Sequence, residues 1–369
     1  MKILVLDIAA SKTGAKSILQ DFAEYVRNNA KEHEWIFVTG VRDMVKEAGN
    51  IRVILREDIK GSRLKRLMFE LFNGCGFIKE TGPDVVFSLE NTLPKGKTKI
   101  KGKRIPEVLY VHQPLGFQKE KDFSLFKPEE RHLAVYQHII AKLIDSSVKR
   151  ADKVIVQTEW MKKAVSEKCS VDPGKVYAVL PPLAPVPEGM EKKKFDCTGF
   201  IFPAGPILYK NHSLIIEAAR LLNKKGIDNF RISFTLTEEE AGEKLVSMAK
   251  LTKENIEFKG QVERKRLFEA YASNTLIFPS YIETYGYPPA EARSVGGLVL
   301  ASDTEFCREV LAGYENVRFF SPFDAEGLAS LMEEVITGKL APRNIEGTKN
   351  DSSRSRSSWG EVTDIIEKA

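Results

Sequence analysis

The stretch Phe278-Pro279-Ser280-Tyr281-Ile282-Glu283-Thr284-Tyr285-Gly286-Tyr287-Pro288-Pro289-Ala290-Glu291-Ala292-Arg293 sets two carboxylates eight positions apart around a Gly-Pro turn that leads from an apolar run into a helix. Carboxylates accept hydrogen bonds from vicinal hydroxyls, whereas the free N–H groups and positive dipole of a helix start attract a diphosphate. A ligand with a sugar part and a phosphate part needs these two opposite kinds of partner. Singly, each element has a plainer explanation. A glutamate in a first helical turn, where Glu291 falls if Pro288 opens the helix, is favoured by the dipole alone. Gly286 and the proline pair are also ordinary strand-to-helix turn chemistry. Glu283 adds an argument from position: it lies past the C-terminal end of a strand, where ligands bind in open parallel α/β sheets.

Outward from this turn, short apolar runs alternate with longer helical patterns. Towards the N-terminus they are Ile3 to Leu6, Trp35 to Thr39, Ile51 to Leu55, Asp84 to Ser88, Val108 to Val111 and Lys153 to Gln157. Nearer the turn come Gly199 to Pro203, Arg231 to Leu236, Ile256 to Gly260, Thr275 to Pro279 and Leu298 to Ser302. Strands buried on both faces read as continuous apolar runs, so each series predicts a parallel sheet flanked by helices. The rhythm breaks at Leu180-Pro-Pro-Leu-Ala-Pro-Val-Pro-Glu188, a proline-rich linker followed by the charge run Glu191 to Lys194. The chain therefore divides into an N-terminal α/β domain over 1–182, a linker over 183–188, a C-terminal α/β domain over 189–350 and a tail over 351–369. Within the tail region, the polar stretch Thr348 to Ser358 reads as mobile and Trp359 onward as an amphipathic helix.

A chain of 369 residues with 43% apolar content is long enough for two buried cores. A net charge of +5 spread over many acids and bases implies no global polyanion partner. Cys75, Cys169, Cys197 and Cys307 lack metal-ligand spacing and are too scattered for a disulfide framework, which points to a reducing, cytoplasmic compartment. Met1 to Asp7 reads as a first buried strand rather than a signal peptide, and no apolar run approaches the roughly 18–20 residues of a membrane span. No Gly-x-Gly-x-x-Gly follows a predicted strand, which argues against a nicotinamide-dependent dehydrogenase.

Three further places put chemistry at strand ends. Phe202-Pro-Ala-Gly205-Pro-Ile-Leu-Tyr-Lys210-Asn211-His212 sets a lysine near a helix start on the sheet that carries Glu283, suited to a phosphate. His112 follows the strand Val108 to Val111; a histidine there is also compatible with simple packing. Gly14, after the first strand, permits close approach of a ligand to the backbone, or is a plain loop glycine. Thr158 before Glu159 is suited to capping a helix.

The Glu283 to Glu291 segment resembles the E-x7-E signature of retaining glycosyltransferases of the GT-B fold, family 4, in which the intervening turn usually reads Gly-Phe-Gly-Leu-Pro. The resemblance implies two Rossmann-like domains facing each other across a cleft, with the last helix packing on the N-terminal domain. It also implies that Glu283 binds donor-sugar hydroxyls and Glu291 the ribose, with Thr284, Tyr285, Gly286 and Tyr287 lining the donor site and backbone N–H groups facing the diphosphate. Lys210 matches the lysine of the family's Arg-x5-Lys motif. The arginine's place falls near Gly205-Pro206, so Asn211 or the helix start has to compensate. Tyr209-Lys210-Asn211-His212 resembles a subset of that family. By the same resemblance His112 lies beside the anomeric carbon, and Gly14 partly matches a Gly-Gly loop.

The implied activity is metal-independent transfer of a sugar from a nucleoside diphosphate sugar to a glycan or lipid-linked acceptor, as in cell-surface polysaccharide or lipopolysaccharide synthesis. No resident cofactor is expected, and no Asp-x-Asp supports a metal-dependent single-domain architecture. A nucleotide-sugar 2-epimerase and a non-catalytic sugar-nucleotide-binding protein remain alternatives. Two basic features, Lys95 to Arg104 and Lys60 to Phe72, are either solvated surface or contacts to an anionic membrane face, where each cation contributes about 1 kcal/mol. No nucleic-acid module accompanies them. Base selection is expected near Gly260-Gln261-Val262.

Overall fold

The apolar runs form two separate parallel sheets in the computed structural model, which describes residues 1–10, 13–191, 194–343 and 352–369. By contacts, the chain divides into one unit of Met1–Pro182 with Arg356–Ala369 and a second of Leu183–Ser355.

The first unit contains β1 (Lys2–Asp7), β2 (Glu34–Thr39), β3 (Ile51–Leu55), β4 (Val85–Ser88), β5 (Lys99–Ile100), β6 (Lys103–Arg104), β7 (Glu107–Val111), β8 (Lys153–Val156) and β9 (Val176–Ala178). Its main sheet runs β3-β2-β1-β4-β7-β8-β9, and every neighbouring pair is parallel. Leu4 stands between Ile36 and Val86, and Ile3 to Leu6 are wholly buried, so helices cover both faces and the strand shows no polar alternation. β5 and β6 form a hairpin turned at Lys101 and Gly102, both at positive φ. That hairpin occupies the predicted basic run Lys95 to Arg104.

The second unit contains β10 (Gly199–Phe202), β11 (Arg231–Phe234), β12 (Ile256–Phe258), β13 (Thr275–Phe278), β14 (Val299–Ser302) and β15 (Val317–Phe320), in the order β12-β11-β10-β13-β14-β15. Strand order reverses between β10 and β13 here, and between β1 and β4 in the first unit. Such reversals open a crevice at the C-terminal strand ends.

The last helix, Ser352–Glu367, corrects one expectation: it is helical from Ser352 rather than from Trp359. Residues 348–351 of the stretch read as mobile lie outside the described residues. Trp359, Val362, Ile365 and Ile366 are buried in the core of the first unit, with the Trp359 ring 5.1 Å from Phe22. His33 Nε2 lies 2.7 Å from Glu367 Oε1, and Lys153 donates to the Ile365 carbonyl at 3.0 Å, which fixes the helix at its far end. Among the described residues no helix is long and apolar enough to cross a membrane. The four cysteines are free.

Candidate active site

In the second unit, β10 and β13 pair directly, so the loops that leave their C-terminal ends start side by side. The β10 loop closes as a single 3-10 turn, Leu208–Lys210, and Asn211 at φ +66° begins the helix His212–Lys224. The Lys210 ammonium donates to the Glu283 carboxylate, with the two side chains only 19% and 17% exposed. The Tyr281 N–H donates to the Tyr209 carbonyl at 3.2 Å and joins the same two loops through the backbone.

The flanking residues also hold the frame of these loops. The Asn211 amide NH2 donates to the Pro322 carbonyl at 2.7 Å and to Pro279 at 3.4 Å, binding the loops after β10, β13 and β15 together. The group that could reach a phosphate is therefore engaged in holding the frame. His212 is buried against Phe202 and Phe234, and desolvation pushes its imidazole down to about 4. It is a core residue.

Gly286 has φ +84° and caps the helix Tyr287–Ser294, which begins one residue before Pro288. An L side chain there is strained whatever the space. Pro288 and Pro289 have no N–H, so the first turn of this helix carries two fewer backbone donors than an ordinary one. Tyr287 is 37% exposed, its ring 5.3 Å from that of the buried Tyr285, and Thr284 is half-buried beside them.

Glu291 is buried, and both its oxygens have partners: Arg264 Nη2 at 3.0 Å and the Tyr271 hydroxyl at 3.2 Å. Desolvation raises its pKa, while Arg264 and Tyr271 act against that rise. Arg264 also lies 4.9 Å over the Phe268 ring. The sequence reading missed both partners. Arg264 opens a helix four residues after Gly260, so its place beside the expected base-selecting loop was the available signal.

In the first unit, His112 lies just past β7, with its backbone N–H on Asn91 Oδ1 at 2.6 Å. Desolvation lowers its imidazole to about 4, and its Nδ1 is buried without a hydrogen-bond partner. The ring is therefore neutral near pH 7. Gly14 lies in the first turn of the helix Thr13–Asn29 instead of in a loop before it; it is exposed, and an added Cβ meets nothing within 4 Å. Open space there is compatible with a ligand, but no crowding demands glycine. Thr158 precedes the helix Glu159–Cys169, yet its side chain makes no capping hydrogen bond.

Residues 198–350 match the family model described as Glycosyl transferases group 1, a span that covers Lys210, Asn211 and both glutamates. No curated protein matches the chain significantly. Among solved structures, WaaG, a glycosyltransferase involved in lipopolysaccharide biosynthesis, matches with a TM-score of 0.65 at 15% identity over 100% of both chains. A glycosyltransferase from Rickettsia africae ESF-5 gives 0.61 at 15% identity, over 99% of this chain and 94% of that one. Anabaena Alr3699/HepE in complex with UDP and glucose gives 0.58 at 14% identity, over 99% and 95%. At such identities the likeness is one of fold: GT-B, built from two Rossmann-type units.

Proposed function

We propose that this chain is a retaining glycosyltransferase that moves a sugar from a nucleoside diphosphate sugar to a glycan or lipid-linked acceptor without a metal ion. The Lys210–Glu283 ion pair carries the reading, because it sets a phosphate-seeking cation against a hydroxyl-seeking carboxylate at one strand-end crevice. The family match over 198–350 and the UDP and glucose held by Anabaena HepE support the same ligand class.

In this reading Glu283 accepts from donor-sugar hydroxyls and Glu291, oriented by Arg264 and Tyr271, accepts from the ribose. Lys210 and the N–H groups of Gly286 and Tyr287 receive the diphosphate. The bond from the anomeric carbon to the β-phosphate oxygen breaks, the acceptor oxygen bonds to the same face, and the β-phosphate takes the acceptor proton. Negative charge grows on the leaving diphosphate, so a cation preset beside it lowers the barrier. Two prolines in the first turn place more of that task on Lys210. His112, in the first unit, keeps a neutral imidazole near pH 7. Thermal stabilisation by UDP, GDP, ADP and dTDP tests the donor site: a nucleotide at a hundred times its Kd adds about 2.7 kcal/mol, and no shift with any of the four contradicts the reading.

The first unit offers a surface for an anionic membrane. Leu64, Leu67, Met68 and Phe72 are 69%, 44%, 40% and 68% exposed on one helical stretch. The hairpin with exposed Lys95, Lys97, Lys99, Lys101 and Lys103 adjoins it, since the Lys95 N–H donates to the Glu70 carbonyl at 2.6 Å. Apolar side chains beside mobile ammonium groups suit a headgroup layer, and a lipid-linked acceptor is presented from such a surface.

A further inference from the structure

Within the first unit, the turn before β2 and the end of the last helix bring three metal-ligand side chains together. His33 Nε2 lies 2.7 Å from Glu367 Oε1 and 3.5 Å from Glu32 Oε1. One ligand atom from each of the three residues lies within 4.8 Å of the other two. His33 Nδ1 faces the Met1 nitrogen at 3.4 Å, so Nε2 is the ring nitrogen turned to the carboxylates. The turn that carries His33 is itself fixed. The Glu34 N–H donates to the Met1 carbonyl at 2.9 Å, and the Ala30 carbonyl accepts from the Trp35 indole at 2.9 Å and from the Asn50 amide at 3.2 Å. Glu367 follows directly on Ile365 and Ile366, which are buried in the core of the same unit.

We propose that Glu32, His33 and Glu367 form a site for a divalent transition metal ion, with zinc the best fit, which staples the last helix to the first unit. One imidazole with two carboxylates suits zinc better than magnesium or calcium, which prefer oxygen ligands throughout. Zinc holds nitrogen and oxygen ligands at about 2.0–2.2 Å, and a tetrahedron of that size spaces them roughly 3.3–3.6 Å apart. Glu32 Oε1 already has that spacing from Nε2, and Glu367 Oε1 has to draw back by about 0.6–0.9 Å. The His33 ring, 11% exposed, sets the position, while Glu32 and Glu367, 61% and 34% exposed, can adjust to it. A cavity of about 630 Å³ beside Glu32 and His33 leaves room for water in the fourth position. Zinc binds Nε2 without its proton, so the ring proton then sits on Nδ1 and the carboxylates bond to the metal instead of to the ring.

The surroundings favour a cation. Burial raises the pKa of the Tyr25 hydroxyl, and Asp364, Glu32 and Glu367 raise it further. Of the cations nearby, Lys368 pairs with Asp364 at 3.6 Å, and Arg27 is engaged with Glu24 at 2.7 Å and with the Lys46 carbonyl at 2.8 Å. Lys31 lines the cavity. His33 and Glu367 are 334 positions apart, so an ion that needs both binds only while the helix is docked, and its binding energy adds to docking. His33 precedes β2 whereas His112 follows β7 in the same parallel sheet, which puts the two at opposite edges. The metal site is therefore structural and independent of the proposed sugar transfer.

Calorimetric titration of the full chain with zinc chloride, after stripping with EDTA, tests the site together with amide hydrogen exchange of residues 359–367. Expected are one zinc ion per chain and slower exchange in the helix once zinc is added, with no such slowing by magnesium. His33→Ala, Glu32→Gln and Glu367→Gln are each expected to weaken zinc binding about tenfold or more and to remove the slowing. The two glutamate variants change exposed side chains only, and their urea unfolding without zinc is expected to match wild type, so that lost binding is not lost folding. No saturable binding up to about 1 mM zinc overturns the proposal. So does binding of undiminished strength in any of the three variants, or binding that leaves exchange in the helix unchanged.

Discussion

The Lys210 ammonium and the Glu283 carboxylate, 73 positions apart in the chain, meet as an ion pair at the crevice between β10 and β13. Neither group waits free for a ligand. Under the proposed function, donor binding has to exchange this contact for two others, phosphate on the lysine and sugar hydroxyls on the glutamate. Lys210→Met is expected to lower kcat/KM about 100-fold, near 2.7 kcal/mol of transition-state stabilisation. Glu283→Gln is expected to cost a similar amount, and the double variant less than the sum, because each single change also strands the partner. Steady-state kinetics with the donor found in the nucleotide screen checks all three.

Glu291 depends on Tyr271 and Arg264 to be tolerated where it is buried. Tyr271→Phe removes one donor and leaves the carboxylate short, which is expected to cost about 1–3 kcal/mol of stability. Nucleotide affinity falls with it if Glu291 binds the ribose. Urea unfolding and nucleotide titration of the same variant separate the two effects.

At the opposite end of the first sheet, Glu107 is wholly buried at the start of β7, and both of its oxygens lack partners. Desolvation raises it to about 7, against the pull of Arg150 and Arg104 and with a push from Asp152; Lys97 also faces it. A raised carboxyl holds its proton longer folded than unfolded. Its contribution is therefore complete below the unfolded value near 4.5 and is lost as pH rises through 7. Glu107→Gln is expected to flatten the fall in stability between pH 5 and pH 8 by about 3 kcal/mol. Denaturant unfolding at several pH values checks it, and turnover is expected to stay at the wild-type level.

The proposed membrane surface gives a separate expectation. Wild type is expected to sediment with vesicles containing anionic lipid and to be released by raised salt, as exposed ammonium contacts are screened. Leu64→Ser with Phe72→Ser weakens binding at every salt concentration, whereas Lys99→Ala with Lys103→Ala mainly reduces the salt dependence.

The sheets were legible because their strands are continuous apolar runs, and the two-unit division because prolines interrupt the rhythm at Leu180 to Glu188. β9 and β15 escaped notice: Val176-Tyr-Ala178 and Val317-Arg-Phe-Phe320 are short, and Arg318 breaks the second. Glu283, Glu291 and Lys210 could be picked out by spacing and by position at strand ends. Their pairings could not, since Lys210 with Glu283 and Glu291 with Arg264 are set by which strands adjoin. Asn211 stood out by its place at a helix start, and its link to the loops after β13 and β15 is visible only once the β15 loop is in place.

The most direct test of the central claim is donor turnover by the purified chain, with the anomeric configuration of the product read by NMR. Wild type is expected to release the nucleoside diphosphate and form a glycoside that retains the donor's configuration, while Lys210→Ala and Glu283→Ala lose at least nine-tenths of the rate. Full transfer by both variants, or an inverted product, contradicts the account.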